Sequence, residues 1–263
     1  MPKFADDTDL SQYKVGNFGF TAVNPGELGA SGYTLADIVA DRSGSTDGYT
    51  AEATAAIKGA IEALKKHPRA DNMLLRVTTF DNNLREVHGY KPLADIDSSI
   101  YDGCLTPGGS TALNDGVISA AEAAAHYGET LTKQDFDVNG IVIVITDGWN
   151  NAGKYSSSWF GGRYSPDEAT FHKEQAIVAA ALKMPQKSEA LESYISILIG
   201  VNCKEALTEL TQFHQAVGFT HPLIPLEDAK PNTIAKIGKF VSESVSSQSQ
   251  ALGSGGPSQS ITF

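Results

Sequence analysis

Four runs of this chain carry apolar residues on both strand faces and are too short for anything but buried strands. They are Tyr33 to Ala40, Met73 to Phe80, Gly140 to Thr146 and Tyr194 to Val201. A strand with one wet face alternates apolar and polar residues, so unbroken apolar runs need cover on both faces. Between the runs lie segments of helical character. One spans 51 to 67, with Ile57, Ile61 and Leu64 at helical spacing, and another spans 112 to 127 and is rich in small alanines. A third follows the capping signal Ser165-Pro166-Asp167-Glu168 and runs to about Met184, and two more fall near 203–216 and 231–245. Strands alternating with helices predict a Rossmann-like, doubly wound α/β fold with a mainly parallel sheet and helices on both faces. One antiparallel edge strand is expected at Leu84 to His88, after the turn Asp81-Asn82-Asn83, and a short strand at 219–225.

Outside this alternating region the composition changes. Residues 1–32 carry the turn signals Asn24-Pro25-Gly26 and Gly29-Ala30-Ser31-Gly32 with one short strand pattern at Phe18 to Val23, and read as an N-terminal arm laid against the domain. The domain proper is 33–245. A Ser- and Gly-rich tail, 246–263, lacks the apolar surface to fold alone.

With 41% hydrophobic residues the chain can bury a sizeable core, and its net charge of −11 disfavours nucleic-acid binding, which needs clustered cations. The one basic cluster, Lys65-Lys66-His67-Pro68-Arg69, sits at a helix end where cations complement the dipole. Only Cys104 and Cys203 are present, away from any second cysteine or histidine at ligand spacing, which argues against a zinc site or a disulfide framework. No stretch approaches the roughly 18 apolar residues of a membrane span, and the first residues lack an apolar signal region. The expectation is a cytoplasmic protein with neither membrane nor nucleic acid as partner.

The chemistry concentrates where strands end. Ligands of such sheets bind outside the carboxyl ends of the strands. The first buried run ends in Asp41-Arg42-Ser43-Gly44-Ser45, the third in Thr146-Asp147-Gly148, and a glycine-rich turn, Pro107-Gly108-Gly109-Ser110-Thr111, precedes a helix. Spacing of Asp41, Ser43 and Ser45 at every second residue lets three oxygens point one way. With Thr111 and Asp147 they form a set of two carboxylates and three hydroxyls, suited to a hard cation such as Mg²⁺, with Mn²⁺ or Ca²⁺ as alternatives. Two negative charges against a divalent ion leave room for one more carboxylate from outside.

Asp-x-Ser-x-Ser, a threonine on a Pro-Gly-Gly turn and Thr-Asp-Gly, in that order, resemble the metal-ion-dependent adhesion site of the von Willebrand factor type A (vWA) domain. The resemblance covers about 33–245 and matches all five positions. It implies that Ser43, Ser45 and Thr111 meet Mg²⁺ directly or through water and that Asp41 and Asp147 act largely through water. The chain also resembles single-domain intracellular bacterial members associated with tellurium resistance or with MoxR-type ATPases, on the strength of Phe240-Val241-Ser242-Glu243-Ser244-Val245-Ser246-Ser247. That likeness implies a protein partner donating Asp or Glu, such as an AAA+ ATPase or an assembly subunit.

Other chemistries lack residues they would need. Cys104 lacks the arginine six residues on that a phosphatase-type loop requires, and no lysine precedes the Ser110-Thr111 hydroxyls as a phosphate loop would need. An Asp41 phospho-acceptor would want a second aspartate where Ser43 stands. The six histidines show no ligand spacing, and Asp81, Asp102 and Asp115 read as turn or helix-start residues. Trp149, Tyr155, Trp159 and Phe160 crowd the segment after Asp147 as a candidate partner-binding surface. The resulting expectation is a Mg²⁺-dependent protein-binding adaptor that is not an enzyme. The alternatives are a structural component of a larger assembly and a metal-dependent phosphohydrolase.

Overall fold

A computed structural model describes residues 10–156, 159–160, 163–164, 168–255 and 263. The strands are β1 (Leu10–Val15), β2 (Phe18–Val23), β3 (Gly32–Asp41), β4 (Met73–Phe80), β5 (Leu84–Pro92), β6 (Asp137–Thr146), β7 (Trp159–Phe160), β8 (Arg163–Tyr164), β9 (Tyr194–Gly200) and β10 (Ile224–Pro225). The helices are α1 (Thr50–Lys65), α2 (Leu113–Thr132), α3 (Glu168–Lys187), α4 (Leu207–Val217) and α5 (Pro231–Ser254). Eight strands form one sheet in the order β1-β2-β5-β4-β3-β6-β9-β10, and β7 pairs with β8 apart from it. From β4 through β3, β6 and β9 to β10 every pairing is parallel, while β4–β5 and β1–β2 are antiparallel.

Alternation along the central strands sorts their side chains into two cores. On β3, Leu35 and Val39 face one way, and Ala36, Ile38 and Ala40 the other; on β6, Val142 and Val144 part from Ile141 and Ile143 in the same manner. The first core packs beneath α2, α3 and α4, the second beneath α1 and α5. Fully burying such a side chain contributes about 1.5–3 kcal/mol, so these strands anchor everything at their ends. Close approach matters on the second face: a Cβ on Gly238 of α5 would stand 2.6 Å from the Ala56 carbonyl oxygen of α1. Among the described residues no helix is long and apolar enough to cross a membrane.

Three elements differ from their sequence expectation. The segment after Asp81-Asn82-Asn83 does form an antiparallel strand, β5, but β2 lies along its outer side and β1 takes the edge. Leu10 to Val23 thereby supply a sheet hairpin where an arm laid against the domain was expected. Its polar sequence hides the reason, which is a ring cluster. Tyr13 stacks on Phe20 at 5.0 Å, Phe20 meets Tyr90 edge-on, and Tyr90 stacks on Tyr127 of α2 at 5.4 Å. The last helix runs to Ser254, well into the presumed tail, because its small polar residues face inward. Val245, Gln248, Ser249 and Ala251 are buried, Asn139 donates to the Gln248 carbonyl, and Arg69 donates to the Ser249 hydroxyl. The capping signal at 165–167 lies outside the described residues.

Candidate metal centre

The carboxyl ends of β3 and β4 and the loop before α2 are laced together by main-chain hydrogen bonds. The Gly44 amide donates to the Gly109 carbonyl at 3.1 Å, the Gly108 amide to the Arg42 carbonyl at 2.9 Å, and the Arg42 amide to the Phe80 carbonyl at 2.9 Å. Gly109 takes a φ of +71°, a left-handed turn that favours glycine. Next to it the Ser110 amide donates to Asn82 Oδ1 at 2.6 Å. Three loops far apart in sequence thus form one rim.

On that rim the five expected residues come together. Asp41, Ser43, Thr111 and Asp147 are buried and Ser45 is exposed. Asp41 accepts from the Ser43 amide at 2.7 Å and from the Thr146 hydroxyl at 2.5 Å. Ser45 Oγ donates to Asp147 Oδ1 at 2.8 Å and lies 3.1 Å from Ser43 Oγ. The Thr111 hydroxyl has no hydrogen-bond partner among the described residues, although its residue lines the cleft. Its backbone is held on both sides, the Thr111 amide donating to Asn151 Oδ1 at 2.6 Å and the Asn151 amide to the Thr111 carbonyl at 2.9 Å.

The electrostatics of this cluster favour a cation. Burial raises the Asp41 carboxyl to about 6, against the pull of the Thr146 and Ser43 hydrogen bonds, and the nearby Asp147 charge adds to the rise. Burial also raises Asp147, opposed by hydrogen bonds from Ser45 and Tyr49. Tyr49 itself is buried, and burial together with the two carboxylates holds its phenol firmly protonated. Among the described residues neither aspartate has an ion-pair partner. The donor set fits a hard divalent ion: a serine hydroxyl can donate to a carboxylate and still offer a lone pair to a cation. Among the described residues no three Asp, Glu, His or Cys side chains cluster as a metal site. Any cation here must therefore rely on hydroxyls as much as on charge.

The other rim aspartates are occupied elsewhere. Asp81, the third strand-end carboxylate, pairs with Arg42 at 2.7 Å and caps its own turn at the Asn83 amide. Asp102 pairs with Lys58. Asp115 accepts from the Lys154 and Tyr155 amides at 2.8 and 3.0 Å, fastening the loop after β6 to the start of α2. Of the four aromatics in that segment, Trp149 is 41% exposed beside the cleft. The Tyr155 hydroxyl instead accepts from Asn17 of the hairpin turn at 2.7 Å, and its ring packs near Phe18. The side chains of Trp159 and Phe160 lie outside the described residues.

Sequence reasoning missed Tyr49, Thr146 and Asn151 as supports of the site. Thr146 was visible as the neighbour of Asp147, and a polar residue closing an apolar strand was the available signal. Tyr49 and Asn151 had none. The cleft over these groups takes part of its wall from Gly148, Trp149 and Asn151, part from the loop after β9, and part from Glu227.

Compared with protein-family models and with curated proteins, the chain has no match in either. Solved structures do share its fold. The PilB minor pilin from Streptococcus sanguinis is 14% identical with a TM-score of 0.60, over 87% of this chain and 64% of that one. The pilus adhesin SpaC from Lactobacillus rhamnosus GG, in its open conformation, is 13% identical with a TM-score of 0.57, over 94% and 35%. The vWF domain of the type V pili tip protein Mfa5 from Porphyromonas gingivalis is 10% identical with a TM-score of 0.54, over 89% and 99%. The chain thus spans less than two thirds of the pilin and about a third of the adhesin, but nearly the whole Mfa5 domain. At these identities the likeness is one of fold, and the fold is vWA-like.

Proposed function

We propose that this chain is a protein-binding module that works through a divalent cation, Mg²⁺ in the first instance, with an Asp or Glu side chain of a protein partner as the last ligand. The observation that carries the reading is the meeting of Asp41 and Asp147 with three hydroxyls and, among the described residues, no ion-pair partner for either carboxylate. Ser43, Ser45, Thr111, Asp41 and Asp147 would hold the ion, directly or through water. Bound there, it supplies positive charge at the mouth of a cleft and a position for an incoming carboxylate.

Catalysis has no part in this reading. Cys104 and Cys203 are both buried, and burial pushes both thiols up, away from the reactive thiolate. A second reading, of the module as one component of a larger assembly, draws on the pilin, adhesin and tip-protein structures that share the fold. It is compatible with the first, since a metal-held carboxylate can join subunits as well as ligands.

Isothermal titration with Mg²⁺ tests the reading. Saturable binding of one ion is expected, lost in Asp41→Ala, with partner capture abolished by chelator. Equal Mg²⁺ binding in Asp41→Ala and in the wild type would overturn it.

A further inference from the structure

The metal centre is braced by a part of the chain that supplies none of its five residues. The turn of the β1–β2 hairpin stands at the rim end of the sheet, because β2 runs parallel to β5 and β5 starts where β4 ends. There it meets the loop after β6. Lys154 Nζ donates to the Asn17 carbonyl at 2.9 Å and lies 4.9 Å from the centre of the Phe18 ring. Asn17 Nδ2 donates to the Tyr155 hydroxyl at 2.7 Å. Gly16 seats the same turn on α2, where a Cβ would stand 2.6 Å from Glu122 Oε1. An ammonium on a carbonyl, the same cation against a ring and a second hydrogen bond thus hold Lys154 and Tyr155 from outside the rim.

From these two residues the loop leads directly to Thr111. Their amides are fixed on Asp115, the Tyr155 carbonyl accepts from Asn114 Nδ2 at 3.0 Å, and Asn150 Oδ1 accepts from the Asn114 amide at 3.0 Å. Between these contacts Asn151 brackets Thr111, and the Ala152 amide adds a bond to the Thr111 carbonyl at 3.1 Å. Ser43 and Ser45 share the β3 loop, so Thr111 is the site hydroxyl whose placement depends on a different part of the chain. A ligand side chain is only as well placed as the groups that hold its backbone.

We infer that the hairpin turn is a positioning element of the metal centre: Asn17 and Phe18, by holding Lys154 and Tyr155, keep the loop 150–155 closed on Thr111 and so set the affinity for the ion. This inference rests on the metal-dependent reading above and adds to it a control point remote from the ligands. Lifting the turn off the loop would lower metal affinity without touching any ligand.

The test compares the full chain with two variants. Lys154→Met/Tyr155→Phe loses the cation and both hydrogen bonds to Asn17 but keeps a ring beside Phe18, whereas Lys154→Arg keeps the cation. Amide hydrogen exchange is measured in chelator, and Mg²⁺ binding by isothermal titration. The double variant should exchange its Thr111, Asn151 and Ala152 amides about 10-fold faster, while amides of β3 and β6 keep their rates. It should also bind Mg²⁺ about 5-fold more weakly, and Lys154→Arg should match the wild type in both measurements. Unchanged exchange at Thr111, or faster exchange with Mg²⁺ affinity intact, would overturn the inference and leave the metal reading standing. A wild type that takes up no Mg²⁺ would remove the metal reading and the inference with it.

Discussion

Asp37 and Asp41 lie four residues apart on β3, both buried, and the protein treats their charges in opposite ways. Asp37 sits mid-sheet directly across from Arg76 on β4, whose guanidinium reaches it at 2.7 Å. The same guanidinium donates to Glu86 on β5 at 2.8 Å and to Ser119 on α2, and Glu86 in turn accepts from the Thr21 amide and hydroxyl. Burial pushes the Asp37 carboxyl up and Arg76 pulls it back; burial also works against the Arg76 charge, which Asp37 and Glu86 more than restore. Two pleat repeats further on, at the strand end, Asp41 is placed near another carboxylate, Asp147. The interior cluster sets a guanidinium between its two carboxylates, whereas among the described residues the rim cluster has no cation of its own. A buried charge answered within the fold is architecture, and one left unanswered at a cleft is an invitation to a ligand.

That contrast can be broken from either side. Arg76→Met should have the largest effect, because it strands two carboxylates inside the sheet; a loss of about 3–5 kcal/mol is expected in chemical denaturation. A loss below about 1 kcal/mol would mean the interior charges are not coupled as the geometry implies.

The rim should respond with the opposite sign. Because the folded Asp41 carboxyl titrates near 6 instead of 3.8, the native state holds its proton more tightly than the unfolded chain. Stability of the metal-free protein should therefore fall as pH rises from about 4 through 6, by about 3 kcal/mol in total. Mg²⁺ affinity should rise across the same window. Asp41→Asn should flatten the stability profile; thermal melts in chelator that keep their slope in this variant would detach the effect from Asp41.

The smallest change expected is in Tyr49→Phe, which removes one hydrogen bond to Asp147 while keeping the ring. Mg²⁺ affinity should weaken about 10-fold by titration, with the melting temperature in chelator nearly unchanged. An unaltered affinity would make Tyr49 a packing residue only.

The central strands and all five helices, apart from the far end of α5, were legible because apolar runs and helical spacing report burial directly. The five rim residues were legible because each stands at a strand end or a glycine turn, positions where polarity needs a reason. Arg76 was not. It sits inside Met73-Leu74-Leu75-Arg76-Val77, and nothing in the run tells a buried ion pair from a surface charge, since its partners come from Asp37, Glu86 and Ser119 in other elements. The hairpin β1–β2 was obscured for the same reason, its support being rings supplied by Tyr90 and Tyr127. Ser249 and Gln248 misled in the other direction, as polar residues that composition assigns to water and packing assigns to the sheet.

The hairpin joins the rest of the sheet through a single registered bridge, Ala22 opposite Tyr90. During synthesis it leaves the ribosome before its supports, since the strand it leans on is complete only at Pro92 and the helix that carries Tyr127 only at Thr132. Two-stranded hairpins are marginal alone in water. The nascent chain must therefore carry Tyr13, Phe18 and Phe20 without shelter while more than a hundred further residues emerge, which makes this stretch the natural one for a chaperone to hold.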